Sequence, residues 1–218
     1  ILKHTRDVYR LGERELAILT KDGVTVINSY GERVNCVYEH IDWDASAAEK
    51  CGYPHFMIKE IMEQPEAIAK TIAPRISNGR IELGFKHITA EMLKKVNSIK
   101  IIGCGSAYHV GFVAGYFMRA ALRIPVESVL ASEFRYDDPI VDENTLAIVI
   151  SQSGETLDTL YGLREAKKHG AKTIAIVNVV GSTIANESED VLYTWAGPEI
   201  AVATTKAYST QLVLIHLL

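Results

Sequence analysis

Five strand-length, largely apolar runs separated by helical stretches constrain this chain more than any other feature. The runs are Ile99–Gly103, Val126–Leu130, Leu146–Ile150, Thr173–Val177 and Val191–Thr194. Continuous hydrophobicity over four to six residues means burial on both faces, which is the condition of a strand inside a parallel sheet. Between the runs, residues 107–122, 156–169 and 182–187 read as helices, and a last helix occupies 203–218. That alternation predicts an α/β fold, a doubly wound parallel sheet of five strands in flavodoxin-like order. Ligands of such sheets sit beyond the carboxyl ends of the strands, so the strand-to-helix loops are where chemistry is expected.

The first quarter of the chain has a different grain. Leu16–Thr20 and Val24–Ile27 flank a Lys-Asp-Gly turn and read as a hairpin, and Tyr30-Gly31 begins a further turn before Val34–Tyr38. This predicts a small N-terminal antiparallel β meander over 1–42, too short to bury a core by itself. Residues 43–54 read as a linker. From residue 55 the pattern turns helical as far as Ala73, with Pro65 expected to break or restart it.

Composition narrows the function classes. A net charge of −4 offers no general attraction to nucleic acid or to an anionic membrane surface, and no apolar stretch reaches 18 residues. An anionic ligand would therefore have to be held by a local device. The three cysteines, Cys36, Cys51 and Cys104, are odd in number and widely spaced, which argues for reduced thiols and a cytoplasmic location; Cys104 reads as a buried small hydrophobe. The seven histidines lack ligand spacing, so no metal and no cofactor is expected. The chain starts without Met or a signal pattern and stops inside an apolar helical pattern, so both ends read as cut.

Three loops stand out. Ser151-Gln-Ser-Gly-Glu-Thr156 joins the third strand to its helix, with Ser153 and Gly154 as N-cap residues and Glu155 in the first turn. Free N–H groups at a helix start, with the hydroxyls of Ser151, Ser153 and Thr156 and the Gln152 amide, suit a phosphate without any Lys or Arg. Serine loops also occur simply as helix caps, and spacing alone does not separate the two readings. Gly103-Cys-Gly105-Ser-Ala-Tyr108 follows the first strand; Tyr108 stands where a dinucleotide fingerprint needs glycine. Ser153 lacks the glycines of a nucleophile elbow. After the fifth strand, Thr204 and Thr205 are placed to cap the last helix, and Lys206 reads as a solvated charge.

Ser151–Thr156, Ala131-Ser-Glu-Phe-Arg-Tyr136, Lys59-Glu-Ile-Met-Glu-Gln-Pro65 and Gly197-Pro-Glu-Ile…Thr-Lys-Ala-Tyr208 together resemble the glutamine–fructose-6-phosphate aminotransferases, over almost the whole chain. The resemblance implies that residues 1–42 are the end of a glutaminase domain and 55–218 a first sugar-isomerase (SIS) domain. It implies an enzyme making glucosamine 6-phosphate from fructose 6-phosphate and glutamine, the first step of hexosamine and UDP-N-acetylglucosamine synthesis. It assigns sugar-phosphate contacts to Ser106, Ala107, Ser151, Gln152, Ser153, Thr156, Val202 and Thr204. Ala107 departs from the family's usual Ser and removes a hydroxyl; Thr204 replaces a Ser and keeps one; Ala201 replaces a common Gly.

By the same resemblance the nucleophilic Cys and the second SIS domain, with its catalytic Lys, Glu and His, lie outside these residues. No catalytic residue is expected within 1–218, and the fragment is expected to be inactive. A homodimer is expected, both from the family and from the apolar end of the last helix, read as exposed. The rival readings are a phosphosugar-sensing SIS domain, a related phosphosugar isomerase or deglycase, and an interaction module.

Overall fold

The computed structural model describes residues 4–40 and 49–218, and divides the chain into two compact units, 1–49 and 50–218. The division falls inside the stretch read as a linker, of which 43–48 lies outside the described residues.

In the first unit, β1 (Asp7–Val8) pairs antiparallel with β4 (Glu39–His40), and β2 (Leu16–Thr20) forms the expected hairpin with β3 (Gly23–Ile27). The third strand expected at Val34–Tyr38 does not form. Pairing there is reduced to a bridge between Ile27 and Arg33. The physical reason is burial: Val37 and Tyr38 are exposed, so nothing rewards a continued ladder.

The second unit opens with α1 (Phe56–Met62) and α2 (Gln64–Ile72). Pro65 interrupts the helical pattern and sits in the first turn of α2, where its missing N–H costs nothing. A short hairpin, β5 (Ile76–Ser77) with β6 (Arg80–Ile81), and a single turn, α3 (Ala90–Leu93), lead into the sheet. From there the order is β7 (Ser98–Gly103), α4 (Ser106–Leu122), β8 (Val126–Leu130), α5 (Ala131–Phe134), β9 (Thr145–Ser151), α6 (Leu157–Lys168), β10 (Lys172–Val177), α7 (Thr183–Glu187), β11 (Asp190–Tyr193) and α8 (Lys206–Leu217). All five sheet strands run parallel in the order β8-β7-β9-β10-β11, the flavodoxin-like order expected.

Every residue of β9 is buried, as its unbroken hydrophobicity requires. Alternate side chains serve opposite faces. Leu146, Ile148 and Ile150 join Ile101, Val110, Ala114, Leu214 and Ile215 in the core under α4 and α8. Val149 packs with Leu160, Leu163 and Ile184, and Ala147 with Ile102, Phe134 and Ala166, in the layer under α5, α6 and α7.

The last helix corrects two expectations. Its apolar end is not exposed: Leu214 and Ile215 are buried, and Leu212, Leu217 and Leu218 pack against the same core. The end of this helix therefore offers no bare apolar surface to drive self-association. Lys206 is not solvated either. It is 3% exposed, and its Nζ lies 2.7 Å from Glu63 on the connection between α1 and α2.

Asp190 fastens the entry segment to the sheet. Its Oδ1 accepts the backbone N–H of Lys86 at 2.8 Å, and its Oδ2 those of Ile88 and His87 at 2.7 and 3.0 Å. Burial pushes this carboxyl up, but the three N–H donors more than offset it and hold it below its ordinary value. A depressed carboxylate contributes stability that is complete above the unfolded value of about 4 and is lost as pH falls through the folded one. Asp190→Asn should cost about 2 kcal/mol at pH 7, with the gap to wild type narrowing below pH about 4. Urea denaturation across that range checks it; a gap independent of pH would contradict it.

Candidate functional site

β7 and β9 are neighbours, yet the chain leaves β7 toward β8 on one side and returns to β9 on the other. This is the topological switch point of the sheet, where the loops beyond two adjacent strands diverge and leave a crevice. A cavity of about 240 Å³ opens there, at the small end of ligand cavities. All eight residues singled out from the sequence line it: Ser106 and Ala107 after β7, Ser151, Gln152, Ser153 and Thr156 after β9, and Val202 and Thr204 before α8.

The loop after β9 is braced from within. Ser151 Oγ accepts the Gly154 N–H at 3.0 Å and lies 3.0 Å from Thr156 Oγ1; Ser153 Oγ accepts the Glu155 N–H at 3.1 Å. The helix begins where expected, at Leu157, but its N-cap residue is Thr156, with no side-chain cap bond. Ser153 and Gly154 therefore belong to the loop rather than to the cap. Glu155 lies outside the helix, and its carboxylate accepts the N–H and hydroxyl of Thr183 at 2.8 Å each, tying the loop to α7. Gly154 holds φ +67° with its backbone against buried Ser182; a Cβ there would lie 2.0 Å from Ser182 Oγ. Only glycine fits.

Two long helices, α4 and α6, start at the cavity and turn the positive ends of their dipoles toward it. Backbone N–H groups of Ser106, Ser153 and Thr156 have no acceptor among the described residues, and the Ser153 hydroxyl proton is likewise uncommitted. Among the described residues no Lys or Arg lines the cavity. The donors it offers are backbone N–H groups and hydroxyls, a set suited to an anion.

The start of α8 differs. Neither Thr204 nor Thr205 caps it with its side chain; Thr205 is the N-cap residue, and its Oγ1 is buried without a partner among the described residues. The carboxylate of Glu199 does the work, accepting the N–H groups of Thr205 and Ala207 at 2.8 and 3.2 Å. Thr204 donates its hydroxyl proton to Glu199 Oε2 at 2.8 Å. The dipole of α8 is thus already matched by a carboxylate.

Three further lining residues were given no site role by the sequence. Glu199 stands in the Gly197–Tyr208 motif, where nothing in the sequence marks it as a cap. Gln211, on α8, is 2% exposed, and its side-chain amide has no partner among the described residues. Cys104, expected to be fully buried, is half-buried and lines the cavity, with the Thr159 hydroxyl 3.6 Å from its sulfur. Among the described residues no cluster of His, Cys, Asp and Glu is spaced for a metal ion, and no helix is long and apolar enough to cross a membrane.

Comparison with known proteins agrees with this geometry. Residues 92–218 match the SIS domain model, which covers more than half of the chain and all three cavity loops. The chain belongs to the SIS domain family. The SIS domain is a phosphosugar-binding domain. The similarity also extends beyond it. Along its whole length the chain is 55% identical to a glutamine–fructose-6-phosphate aminotransferase (isomerizing) of Clostridium tetani and 54% identical to that of Clostridium acetobutylicum. It covers 36% of each, so this SIS protein spans about a third of the curated relatives it matches. The C-terminal domain of the glucosamine–fructose-6-phosphate aminotransferase of Francisella tularensis superposes with a TM-score of 0.74 at 42% identity, over 78% of this chain and 48% of that one.

Proposed function

We propose that the switch-point cavity binds fructose 6-phosphate and glucosamine 6-phosphate through their phosphate group. On this reading the chain is the sugar-phosphate-binding part of an enzyme that transfers glutamine nitrogen to fructose 6-phosphate, in the cytoplasm and as a homodimer. The observation that carries it is the convergence of two helix starts and a hydroxyl-rich loop on a cavity without cationic side chains. The phosphate takes the N–H groups at Ser153 and Thr156 and the hydroxyls of Ser151, Ser153 and Thr156. Gln152 and the Ser106–Ala107 turn complete one side, and Val202 and Thr204 the other. Ala107 contributes a methyl where a hydroxyl donor is usual, so binding at the β7 loop falls to the backbone and Ser106.

The role is positioning. Holding the phosphate end contributes binding energy remote from the reacting carbon and orients that carbon toward catalytic groups supplied by the rest of the enzyme. Residues 1–42 are read as the end of the glutaminase domain, and 55–218 as the first SIS domain. The fragment alone makes no glucosamine 6-phosphate on this account. A non-catalytic phosphosugar sensor is the second reading; chain-long similarity to the aminotransferases favours the first.

Ser153→Ala tests the assignment, since it removes a hydroxyl donor and, of the loop's internal bonds, only the one from the Glu155 N–H. Affinity for fructose 6-phosphate should weaken by about 1–2 kcal/mol, the scale of a charge-assisted hydrogen bond. Unchanged affinity in calorimetry would remove the loop from the site.

A further inference from the structure

The Lys59–Pro65 segment carries no group that lines the cavity, yet its polar side chains engage the chain around the cavity's third wall. Glu60 is 2% exposed. Its Oε1 accepts two consecutive backbone N–H groups, Ile200 at 2.6 Å and Ala201 at 3.0 Å. Its Oε2 is buried with no hydrogen-bond partner among the described residues. Burying a carboxylate with one oxygen unsatisfied is costly, so the position needs a physical account. Farther along, Glu63 pairs with Lys206, and Gln64 accepts the hydroxyl of Ser209.

The wall these groups reach is an irregular segment between β11 and α8. Its beginning is held by Asn178, whose amide donates to the Gly197 carbonyl at 2.7 Å while its oxygen accepts the Ala196 N–H at 2.9 Å. Its end is held by Glu199 at the start of α8. Between them Val202 is fully exposed, and the N–H groups of Val202 and Ala203 have no acceptor among the described residues. Glu60 is thus the anchor immediately before the unsupported arch.

We infer that Glu60 is a positioning residue: its carboxylate fixes Ile200 and Ala201 and so sets the distance of the Val202–Thr204 wall from the Ser151–Thr156 loop. The inference rests on the sugar-phosphate reading of the cavity and adds a division of labour to it. The loop after β9 holds the phosphate, and the Glu60-anchored arch closes on the sugar. Losing Glu60 therefore weakens a sugar phosphate more than it weakens phosphate itself.

The test uses the full chain with two variants and two probes, fructose 6-phosphate and inorganic phosphate. In Glu60→Ala, affinity for fructose 6-phosphate should fall about tenfold, the scale of losing a charged hydrogen-bond acceptor, while inorganic phosphate stays within about twofold. Glu60→Gln keeps an acceptor oxygen for both N–H groups and should recover to within about threefold of wild type. Amide exchange at Ile200 and Ala201 should quicken in Glu60→Ala, with exchange in Ser151–Thr156 unchanged. Equal loss of both probes, or unchanged fructose 6-phosphate affinity in a folded variant, would overturn the inference. If Glu60→Ala does not fold, Glu60→Met, which keeps the stem and removes both acceptor oxygens, decides: a selective loss for the sugar ester supports the anchor, and wild-type affinity for both probes refutes it. Wild-type chain that binds neither probe would instead overturn the reading of the cavity, while the exchange rates would still report on the anchor.

Discussion

Gly154→Ala is expected to cost about 3–5 kcal/mol of stability and to abolish sugar-phosphate binding. Two penalties add. The residue sits at φ +67°, where a side chain costs about 1–2 kcal/mol. The new Cβ would also lie 2.0 Å from Ser182 Oγ and 2.5 Å from Ser182 Cβ. Neither partner has room to yield. Ser182 is 1% exposed and its N–H is held by the Val179 carbonyl, while the Gly154 carbonyl accepts the Ile184 N–H at 3.0 Å. Relief requires moving the loop that carries Ser151 and Ser153. A second substitution separates the two penalties: Ser182→Gly in the Gly154→Ala background removes the colliding atoms and should restore all but the backbone cost of about 1–2 kcal/mol. Chemical denaturation of the two single variants and the double variant measures the cycle. A Gly154→Ala protein as stable as wild type would contradict the close packing of loop and α7.

The second large effect is expected at Lys206. Its ammonium is buried against Glu63, which is half-buried and also 3.4 Å from Lys59. Lys206→Ala leaves that carboxylate short of one partner and opens a void where the lysine stem passed between α2 and α8. The expected loss is about 3 kcal/mol, below the full cost of breaking a deeply buried pair because Lys59 and water still serve Glu63. Lys206→Met fills the void without the charge and should lose roughly half as much. Because α8 carries Gln211 at the cavity edge and Thr204 directly precedes it, the alanine variant should also bind fructose 6-phosphate more weakly. A change under about 0.5 kcal/mol in urea denaturation would mean that the pair is solvated after all.

Lys206 also shows where sequence reading ends. Charge on a helix is ordinarily solvated, and nothing at position 206 signals a partner 143 residues earlier. Glu60 is the same case, the N–H donors it accepts lying 140 and 141 residues away. Gln211 gives no signal because it follows Ser209 and Thr210 on α8, and nothing in that polar run marks which residue lines the cavity. By contrast, the five sheet strands were legible to within about a residue at each end; in β9 and β10 burial on both faces writes itself as an apolar run, while the edge strand β8 keeps Glu127 and Ser128 and, contrary to expectation, is buried on neither face throughout. Short elements escaped. The hairpin at Ile76–Ile81 and the turns at Ala90–Leu93 and Ala131–Phe134 are too brief to show a period. The third strand of the meander was overread for the opposite reason: β-prone residues at 34–38 find no surface to bury against. The cavity loops were legible because hydroxyls and glycines between a strand and a helix carry their own geometry. The cap at Glu199 was not, since a carboxylate five to eight residues before its donors lies beyond the usual capping spacing.

The central claim is that a cavity without cationic side chains holds a sugar by its phosphate. Isothermal titration of the chain with fructose 6-phosphate, repeated in the presence of inorganic phosphate and then with unphosphorylated fructose, tests it most directly. The account predicts saturable binding of the sugar phosphate, competition by inorganic phosphate, and no heat with fructose. Fructose binding as well as its phosphate ester, or fructose 6-phosphate binding undisturbed by inorganic phosphate, would contradict it.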